Sequence, residues 1–307
     1  MNNIADSGRP LQIVTTCRAY DLPVFEIAVR KIHLHLPVKS VCVIAPARDC
    51  RKMRRRLGGQ AQIIPEDEFI PDMNIHQLRR LAMFGFPKNA GWYFQQLLKL
   101  QFAFVEPEDD FYLIWDADTI PLRPMRFFDS AGRMLLTKAM EYHAPYFETY
   151  RRLFNAEPNR EFSFIAQHMP VQKSIVREML ERIGRQTAGN EGWAWKIMRS
   201  LPQMNDLHLF SEFETCGHYL KNFHPAQVAF AERTWWRFGS DFTGGKIPSE
   251  LDLEILAHDY EFVSFEKAAR GLRLLAKNIL NKIRKDRPPT DPQTVGWPGK
   301  PRPETLI

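Results

Sequence analysis

The stretch FYLIWDADTIPLRP, Phe111 to Pro124, decides how this chain is read. Five apolar or aromatic residues run straight into two carboxylates, Asp116 and Asp118. The run reads as a buried strand, and Pro121 and Pro124 end it and stiffen its exit. Residues i and i+2 of a strand point to the same side, so the pattern sets both carboxylates on one face. Two carboxylates held that close raise each other's pKa unless a cation keeps both ionised. A hard divalent metal does so with oxygen ligands, usually one or two carboxylates completed by phosphates and water. The carboxyl end of a strand in an α/β chain is also where open sheets bind ligands. The pair therefore points to a metal–diphosphate site. A solvated loop with two incidental acids is the plainer alternative. The apolar run in front and the proline-stiffened loop behind weigh against it.

The stretches before it repeat one pattern. LQIVTTCR (11–18) and SVCVIAP (40–46) read as strands around a helical stretch at 21–36. The basic helix ARDCRKMRRRLGG is closed by Gly58-Gly59, and AQIIPEDEF (61–69) is a short strand entering a loop. This β-α-β-α-β order predicts an α/β fold, an open, mainly parallel sheet flanked by helices. GWYFQQLLKLQFAFV (91–105) is a helix with Phe94, Leu97, Leu98, Phe102 and Val105 on one face, flanked by Gln95, Gln96 and Lys99. In the second half, 133–140 and 161–169 read as strands, 171–184 and 191–201 as helices, and 226–239 as strand and loop. SEFETCGHYLKNF (211–223) starts a helix, with Ser211 and Glu214 spaced as a capping box.

The chain has 307 residues, 44% of them apolar, and a net charge of +6. That charge is local. Ser264 to Arg287 holds eight Lys or Arg against two acids, and the body 1–263 is close to neutral. A uniformly basic nucleic-acid binder is not distributed this way, and the basic stretch Arg48–Arg56 reads as a solvated helix face. The expected organisation is a catalytic domain over 1–263, a basic amphipathic helix over 264–287 and a Pro-rich disordered tail over 288–307. On a helical wheel Phe265, Ala268, Leu272, Leu275, Ala276, Ile279 and Ile283 oppose the basic residues. Such a helix either lies on an anionic membrane surface or packs on the domain. The four cysteines (Cys17, Cys42, Cys50, Cys216) show no metal spacing and fit a reducing compartment. No apolar run approaches the ~18 residues of a membrane span, and no signal peptide is read at the N-terminus. The expected location is cytoplasmic, with peripheral docking on the inner face of the plasma membrane as the extension.

LIWDADTIPLRP resembles the D-x-D strand of GT-A glycosyltransferases, and GWYFQQLLKL and FSEFETCGHYL resemble a bacterial family of GT-A-like proteins. The resemblance spans 11–263 in element order. It implies a GT-A architecture, a nucleotide-diphosphate sugar donor (a UDP-sugar favoured), Mn²⁺ or Mg²⁺, and a glycan or lipid-linked acceptor. By position it implies Asp118 as the direct metal ligand, with Asp116 at metal or ribose. Thr15, Thr16 and Arg18, where the first strand ends, would meet nucleotide base and phosphate, and Asp49 the base or ribose. His258, with His224 behind it, stands for the family's late histidine ligand; an ordinary structural histidine is the competing role for each. Lys99 would reach the diphosphate. Glu212 and Glu214 share the acceptor-side carboxylate role, deprotonating a hydroxyl or stabilising an oxocarbenium-like centre, although the capping box offers Glu214 a structural job. Trp235-Trp236 and Trp193/Trp195 can stack on a sugar or pack in the core.

Three other functions compete. A sugar-nucleotide pyrophosphorylase needs a Gly-rich loop after the first strand, and TTCRAYDLP contains no glycine. A phosphohydrolase would form a phosphoaspartate on Asp116 with Asp118 as acid/base, but its motif opens a domain and here follows more than a hundred residues. A non-catalytic nucleotide-sugar binder or membrane adaptor is the third.

Overall fold

Four strands, β1 (Leu11–Thr16), β2 (Val38–Ala45), β3 (Gln62–Pro65) and β4 (Phe111–Trp115), run parallel in the computed structural model of the chain. The structure describes residues 8–83, 89–106, 110–185, 191–204 and 208–266. After β5 (Thr119–Pro121) and β6 (Met134–Thr137), β7 (His168–Gln172) closes the sheet antiparallel to β4. The strand order is β3-β2-β1-β4-β7.

Strand periodicity explains why this sheet is covered on both faces. Ile13 lies in register with Val41 and Leu113, and the next residue, Val14, with Cys42 and Ile114. Ile13, Val41, Val43, Leu113 and Trp115 enter one core with helices α1 (Leu22–His35) and α2 (Ala47–Leu57). Val14, Cys42, Ile44, Tyr112 and Ile114 enter the other. That second core is closed by α3 (Ile75–Met83), α4 (Ala90–Gln101), α5 (Ala144–Phe154), α6 (Lys173–Arg185), α7 (Trp193–Ser200) and α8 (Glu212–Phe223). α2 turns Cys50, Met53 and Leu57 inward and leaves Arg51, Lys52 and Arg54 to Arg56 outside, so its basic face is solvated.

The remaining pieces make two small sheets. β8 (Val228–Ala231) pairs parallel with β6. β9 (Trp235–Trp236) leads through α9 (Gly239–Phe242) and α10 (Glu250–Leu256) to β10 (Phe262–Ser264), which lies between β9 and β5. Among the described residues no helix is long and apolar enough to cross a membrane. The cysteines are buried and unpaired.

Two expectations are corrected. The strand expected over 161–169 begins at His168; Phe164 and Ile165 are buried without a ladder, and Ser163 makes a lone bridge to Ala139. An apolar run here fills the core from an irregular segment. The helix expected from Ser264 does not start there: Ser264 pairs with Thr119, and Phe265 bridges Phe238. Residues 267–287 and the tail 288–307 lie outside the described residues. Sequence periodicity did not single out α3, α5, α10, β5 or β10.

Candidate active site

The strand order reverses at β1. The chain builds β1, β2 and β3 outward in one direction, then crosses to place β4 on the other side of β1. A crevice opens at the carboxyl ends of such neighbours, here Thr16 and Trp115. Asp116 and Asp118 lie at that edge, but not on a strand. Thr119 N–H donates to Asp116 O (3.0 Å), which closes a four-residue reverse turn between β4 and β5. The strand argument for their shared side therefore fails; the turn is what gathers them. Asp116 N–H donates to Gln167 O (3.0 Å). Gln167 itself is held at φ 63°, the left-handed region that a non-glycine residue rarely adopts, and its buried Nε2 meets no partner.

One cation bridges two elements at this turn. Lys99, from the last turn of α4, donates to Asp116 Oδ1 and to Glu212 Oε1 (2.7 Å). Lys99 and Glu212 are buried, Asp116 half-buried. Burial alone would depress the Lys99 ammonium, but Asp116 and Glu212 outweigh it and hold it above its ordinary value. Glu212 is pushed up by burial and by Asp116, against the pull of Lys99. Gln96, the neighbour on α4, accepts from Glu212 N–H (2.9 Å) and fixes the start of α8. Lys99 therefore does not point at an open cleft. It ties α4, the D-x-D turn and α8 together.

Asp118 is different. Among the described residues neither a hydrogen bond nor an ion pair reaches its carboxylate, although the residue, like Asp116, is half-buried. Burial, then Glu266, Asp116 and Asp21, push its pKa well above the usual range, with Lys99 opposing. Glu266 is delivered by β10: Ser264 pairs with Thr119, and Phe265 N–H donates to Asp118 O (2.8 Å). Arg237 binds Glu266 (2.8 Å) and Glu141. Five carboxylates (Asp116, Asp118, Glu141, Glu212, Glu266) thus surround two cations, Lys99 and Arg237.

A cleft of about 440 Å³ opens at the carboxyl end of β1; Asp116 and Asp118 are not among its lining residues, but Asp21, which is, acts electrostatically on Asp118. Thr16, Arg18, Glu66, Arg79, Asn89 and Trp92 are among its lining residues. Thr16 Oγ1 donates to Gln95 Oε1 (3.3 Å). Arg18 lies over Gly91 in the first turn of α4, where a Cβ would collide with the guanidinium. Burial raises the Glu66 carboxylate, with Arg18 opposing. Thr15 is buried within β1, and its Oγ1 meets no partner. Asp49 does not line the cleft; it accepts from Ala19 N–H (3.0 Å) and braces the β1–α1 loop. Glu66, at the end of β3, stands in the cleft instead.

The other expected residues separate cleanly. Glu212 and Glu214 are i and i+2 on α8, so they leave the helix on different sides. Glu214 accepts from Ser163 Oγ (2.5 Å) and lies 3.0 Å from His218 Nε2, with all three side chains buried. Ser211 Oγ accepts from Glu214 N–H (3.3 Å), so the cap forms while the Glu214 carboxylate turns into the core. His258 is exposed beyond the far end of β5, where its carbonyl accepts from Arg123. β5 separates it from Asp118, and the acid that β10 brings there is Glu266. His224 pairs with Glu178 (3.1 Å). Trp235 stacks on Phe262 and Trp236 on Tyr260; Trp195 donates to Asp72 O (2.8 Å), and Trp193 packs against the second core. Sequence reasoning missed Glu141, Arg237 and Glu266, because only the β5–β10 and β9–β10 pairings bring them to the turn.

A model of DUF6492, a family of unknown function, matches residues 11–228. The chain belongs to the DUF6492 family. The matched span of this DUF6492 protein holds the cleft, Lys99, the D-x-D turn and Glu212, whereas Arg237 and Glu266 follow it. No curated protein matches the sequence. Similar solved structures include an active-site mutant of LgtC (TM-score 0.46, 13% identity, covering 89% of this chain and 96% of that one). Apo mouse xyloside xylosyltransferase 1 is another (TM-score 0.41, 10% identity, 84% and 97% covered). The α/β class rests on the chain's own sheet.

Proposed function

We propose that this DUF6492 protein is a metal-dependent glycosyltransferase that moves a sugar from a nucleotide-diphosphate donor, a UDP-sugar favoured, to an acceptor hydroxyl. The observation that carries the reading is Asp118. It is a carboxylate with no hydrogen-bond or ion-pair partner among the described residues, at the switch point of an α/β sheet, pushed towards protonation by burial and then by neighbouring acids, one of which, Asp21, lines the cleft. The residues fit a divalent cation of the kind that borrows part of its shell from a ligand. Among the described residues no group of three His, Cys, Asp or Glu side chains could hold a metal alone. Asp118 and the second oxygen of Asp116 offer the one or two carboxylates that Mg²⁺ or Mn²⁺ takes when phosphates complete its shell. Held there, such a cation would neutralise the charge that develops on a leaving diphosphate.

The chain's own residues do the rest. Arg18 and Arg79 bring positive charge to the cleft, where a diphosphate would lie. Glu66 offers an acceptor for a base or ribose donor. Lys99 holds Asp116 in place and fixes Glu212 through Oε1, leaving Oε2 to take the proton of the acceptor hydroxyl. Its burial lifts Glu212 towards the working range of a general base. Glu214 takes no part. The acceptor is a cell-envelope glycan or glycolipid, reached in the cytoplasm, with docking on the inner membrane face through the basic stretch 267–287.

The test is a thermal-shift panel of UDP-, GDP-, CDP- and TDP-sugars with Mn²⁺, Mg²⁺ or EDTA, run beside Asp118→Asn. A ligand at ~100 times its dissociation constant stabilises the folded state by about 2.7 kcal/mol. A metal-dependent shift for one nucleotide class, absent in Asp118→Asn, is the expected result. No shift with any nucleotide refutes the reading and favours phosphohydrolase or adaptor roles.

A further inference from the structure

Helix α2 carries its charge differently from the helices around it. Arg48, Arg51, Lys52 and Arg55 stand at i, i+3, i+4 and i+7, one stripe along the helix. All four are exposed, Arg48 over 76% of its side chain. Among the described residues no hydrogen bond or ion pair reaches Arg51, Lys52 or Arg55. Arg48 has Asp49 at 4.0 Å. The acids close to α2 are committed elsewhere. Asp49 accepts from Ala19 N–H (3.0 Å) and Asp67 from Ala47 N–H (3.2 Å), so both serve backbone donors. Glu26 takes Arg56 through both carboxylate oxygens (2.5 Å each). Arg54 donates to Ile63 O (3.2 Å) on the edge strand β3. Arg54 and Arg56 thus have structural tasks, and the stripe beside them has none.

Helices α5 and α6 show the ordinary arrangement. There Glu148 answers Arg151 (2.6 Å) and Arg152 (2.9 Å), and Glu181 answers Arg185 (3.1 Å), one helical turn apart. On α2 the same spacings join cation to cation: Arg48 to Arg51 and Lys52, and each of these to Arg55. Every such like-charge contact weakens a helix. The helix dipole favours cations in the last turn, which accounts for Arg55 but not for Arg48 and Arg51. An arrangement that lowers helix stability, and that no acid of the described chain answers, points to a negative partner outside it.

We propose that the stripe Arg48, Arg51, Lys52 and Arg55 is a docking surface for an anionic lipid bilayer, separate from the C-terminal stretch 267–287. It is straight, about 10 Å long over two turns, and faces outward, which suits a flat charged plane. Each lysine or arginine brought to such a plane adds to the attraction. The stripe holds no aromatic ring to stack on a base and no amide to read one, as a nucleic-acid surface would need. It holds no apolar or aromatic anchor of the kind that centres a protein interface. Its position also matters. Arg48 stands in the first turn of α2 beside Asp49, which braces the loop that carries Arg18 and Tyr20 into the cleft. A bilayer on the stripe would therefore pass close to the rim of the cleft. The assignment goes beyond the transferase reading and does not depend on it.

The test is co-sedimentation of the full chain with vesicles, without nucleotide or metal. One set is phosphatidylcholine alone; the other is phosphatidylcholine and phosphatidylglycerol in equal parts. The chain should pellet with the mixed vesicles, not with phosphatidylcholine, and added salt should release it. Arg51→Gln/Lys52→Gln/Arg55→Gln should weaken partitioning about a hundredfold, the effect of three cations at an anionic surface. Arg151→Gln/Arg152→Gln/Arg185→Gln removes the same net charge from α5 and α6 and should leave partitioning unchanged. The α2 variant should melt no lower than the wild type, because losing like charges relieves the helix. Undiminished binding by the α2 variant assigns membrane contact to 267–287 alone and overturns the proposal. It is equally overturned by no binding in the wild type, equal losses in both triple variants, or a lower melting temperature for the α2 variant. Tighter binding to a DNA duplex than to the mixed vesicles overturns it as well. The nucleotide panel on the wild-type chain succeeds or fails independently of these outcomes.

Discussion

Replacing Lys99 by Met keeps the length of the side chain and removes its charge. In the folded chain this leaves Asp116 and Glu212 facing each other with no cation between them. Both Lys99 and Glu212 are buried, and Asp116 is 21% exposed at its side chain, so water cannot fully replace the lost partner. Breaking a buried pair from one side costs about 3–5 kcal/mol. At roughly 2–4 °C per kcal/mol for a chain of this size class, the melting temperature should fall on the order of 10 °C at pH 7.5. The loss must also depend on pH. Glu212 already sits above its ordinary pKa, and removing Lys99, which opposes that shift, raises it further. A carboxylate whose folded pKa is raised is tolerated below its unfolded pKa and destabilises as pH climbs through the folded value. The gap between wild type and Lys99→Met should therefore be widest at pH 7.5 and narrow towards pH 5. Adding Glu212→Gln to Lys99→Met should recover part of the loss at neutral pH, since removing both charges leaves less to compensate. Differential scanning calorimetry across pH 5–8 reads all three effects. An unchanged melting temperature at pH 7.5, or a gap that widens on acidification, refutes the claim that Lys99 is the keystone between α4, the turn and α8.

Asp118→Asn should raise the melting temperature of the ligand-free chain at pH 7.5 while abolishing any metal-dependent nucleotide shift. The raised folded pKa means that ionised Asp118 is a liability until a ligand arrives; a melting temperature below that of the wild type counts against this. Gly91→Ala should leave stability equal or higher by up to about 1 kcal/mol, as expected for helical Gly to Ala. It should nonetheless weaken nucleotide shifts, because the new Cβ displaces the Arg18 guanidinium from its place over α4; an undiminished nucleotide shift would dismiss Arg18. Gly217→Ala should cost about 1–3 kcal/mol by driving a methyl into the buried Phe164 ring, read by denaturant titration, and a neutral effect would mean that α8 packs elsewhere.

Much of this was legible because it is local or periodic. The alternation of LQIVTT, the apolar run FYLIW and the ring of helices follow from burial on both faces of a parallel sheet. The Ser211 cap was readable because its two partners lie three residues apart. What escaped was tertiary. Asp116 and Asp118 were reasoned onto a strand, whereas the chain turns there because β5 must pair with β10, 145 residues away at Thr119 and Ser264. A helix wheel drawn from Ser264 could not know that Phe265 is needed in the core. The late partner of Asp118 was sought among histidines by order in the chain, and strand pairing brings a glutamate.

The contrast between Glu212 and Glu214 shows how the fold sorts equivalent residues into unequal roles. In SEFET the two are interchangeable. On α8 their directions diverge by about 200°, and each meets a different environment. Glu214 accepts from Ser163 and lies against His218, buried and outside the residues that line the cleft. Glu212 finds a lysine already shared with the D-x-D turn, so anything that alters charge on Asp116 is felt at Glu212 through one ammonium group. If a cation and diphosphate draw Asp116 away from Lys99, that lysine turns more fully to Glu212 and lowers its pKa. If the donor leaves, Asp116 reclaims Lys99 and Glu212 rises again. The proton affinity of the proposed base is thereby linked to occupancy of the donor cleft. The pKa of Glu212, followed by carboxylate NMR with and without nucleotide and metal, should fall on donor binding in wild type and not in Lys99→Met.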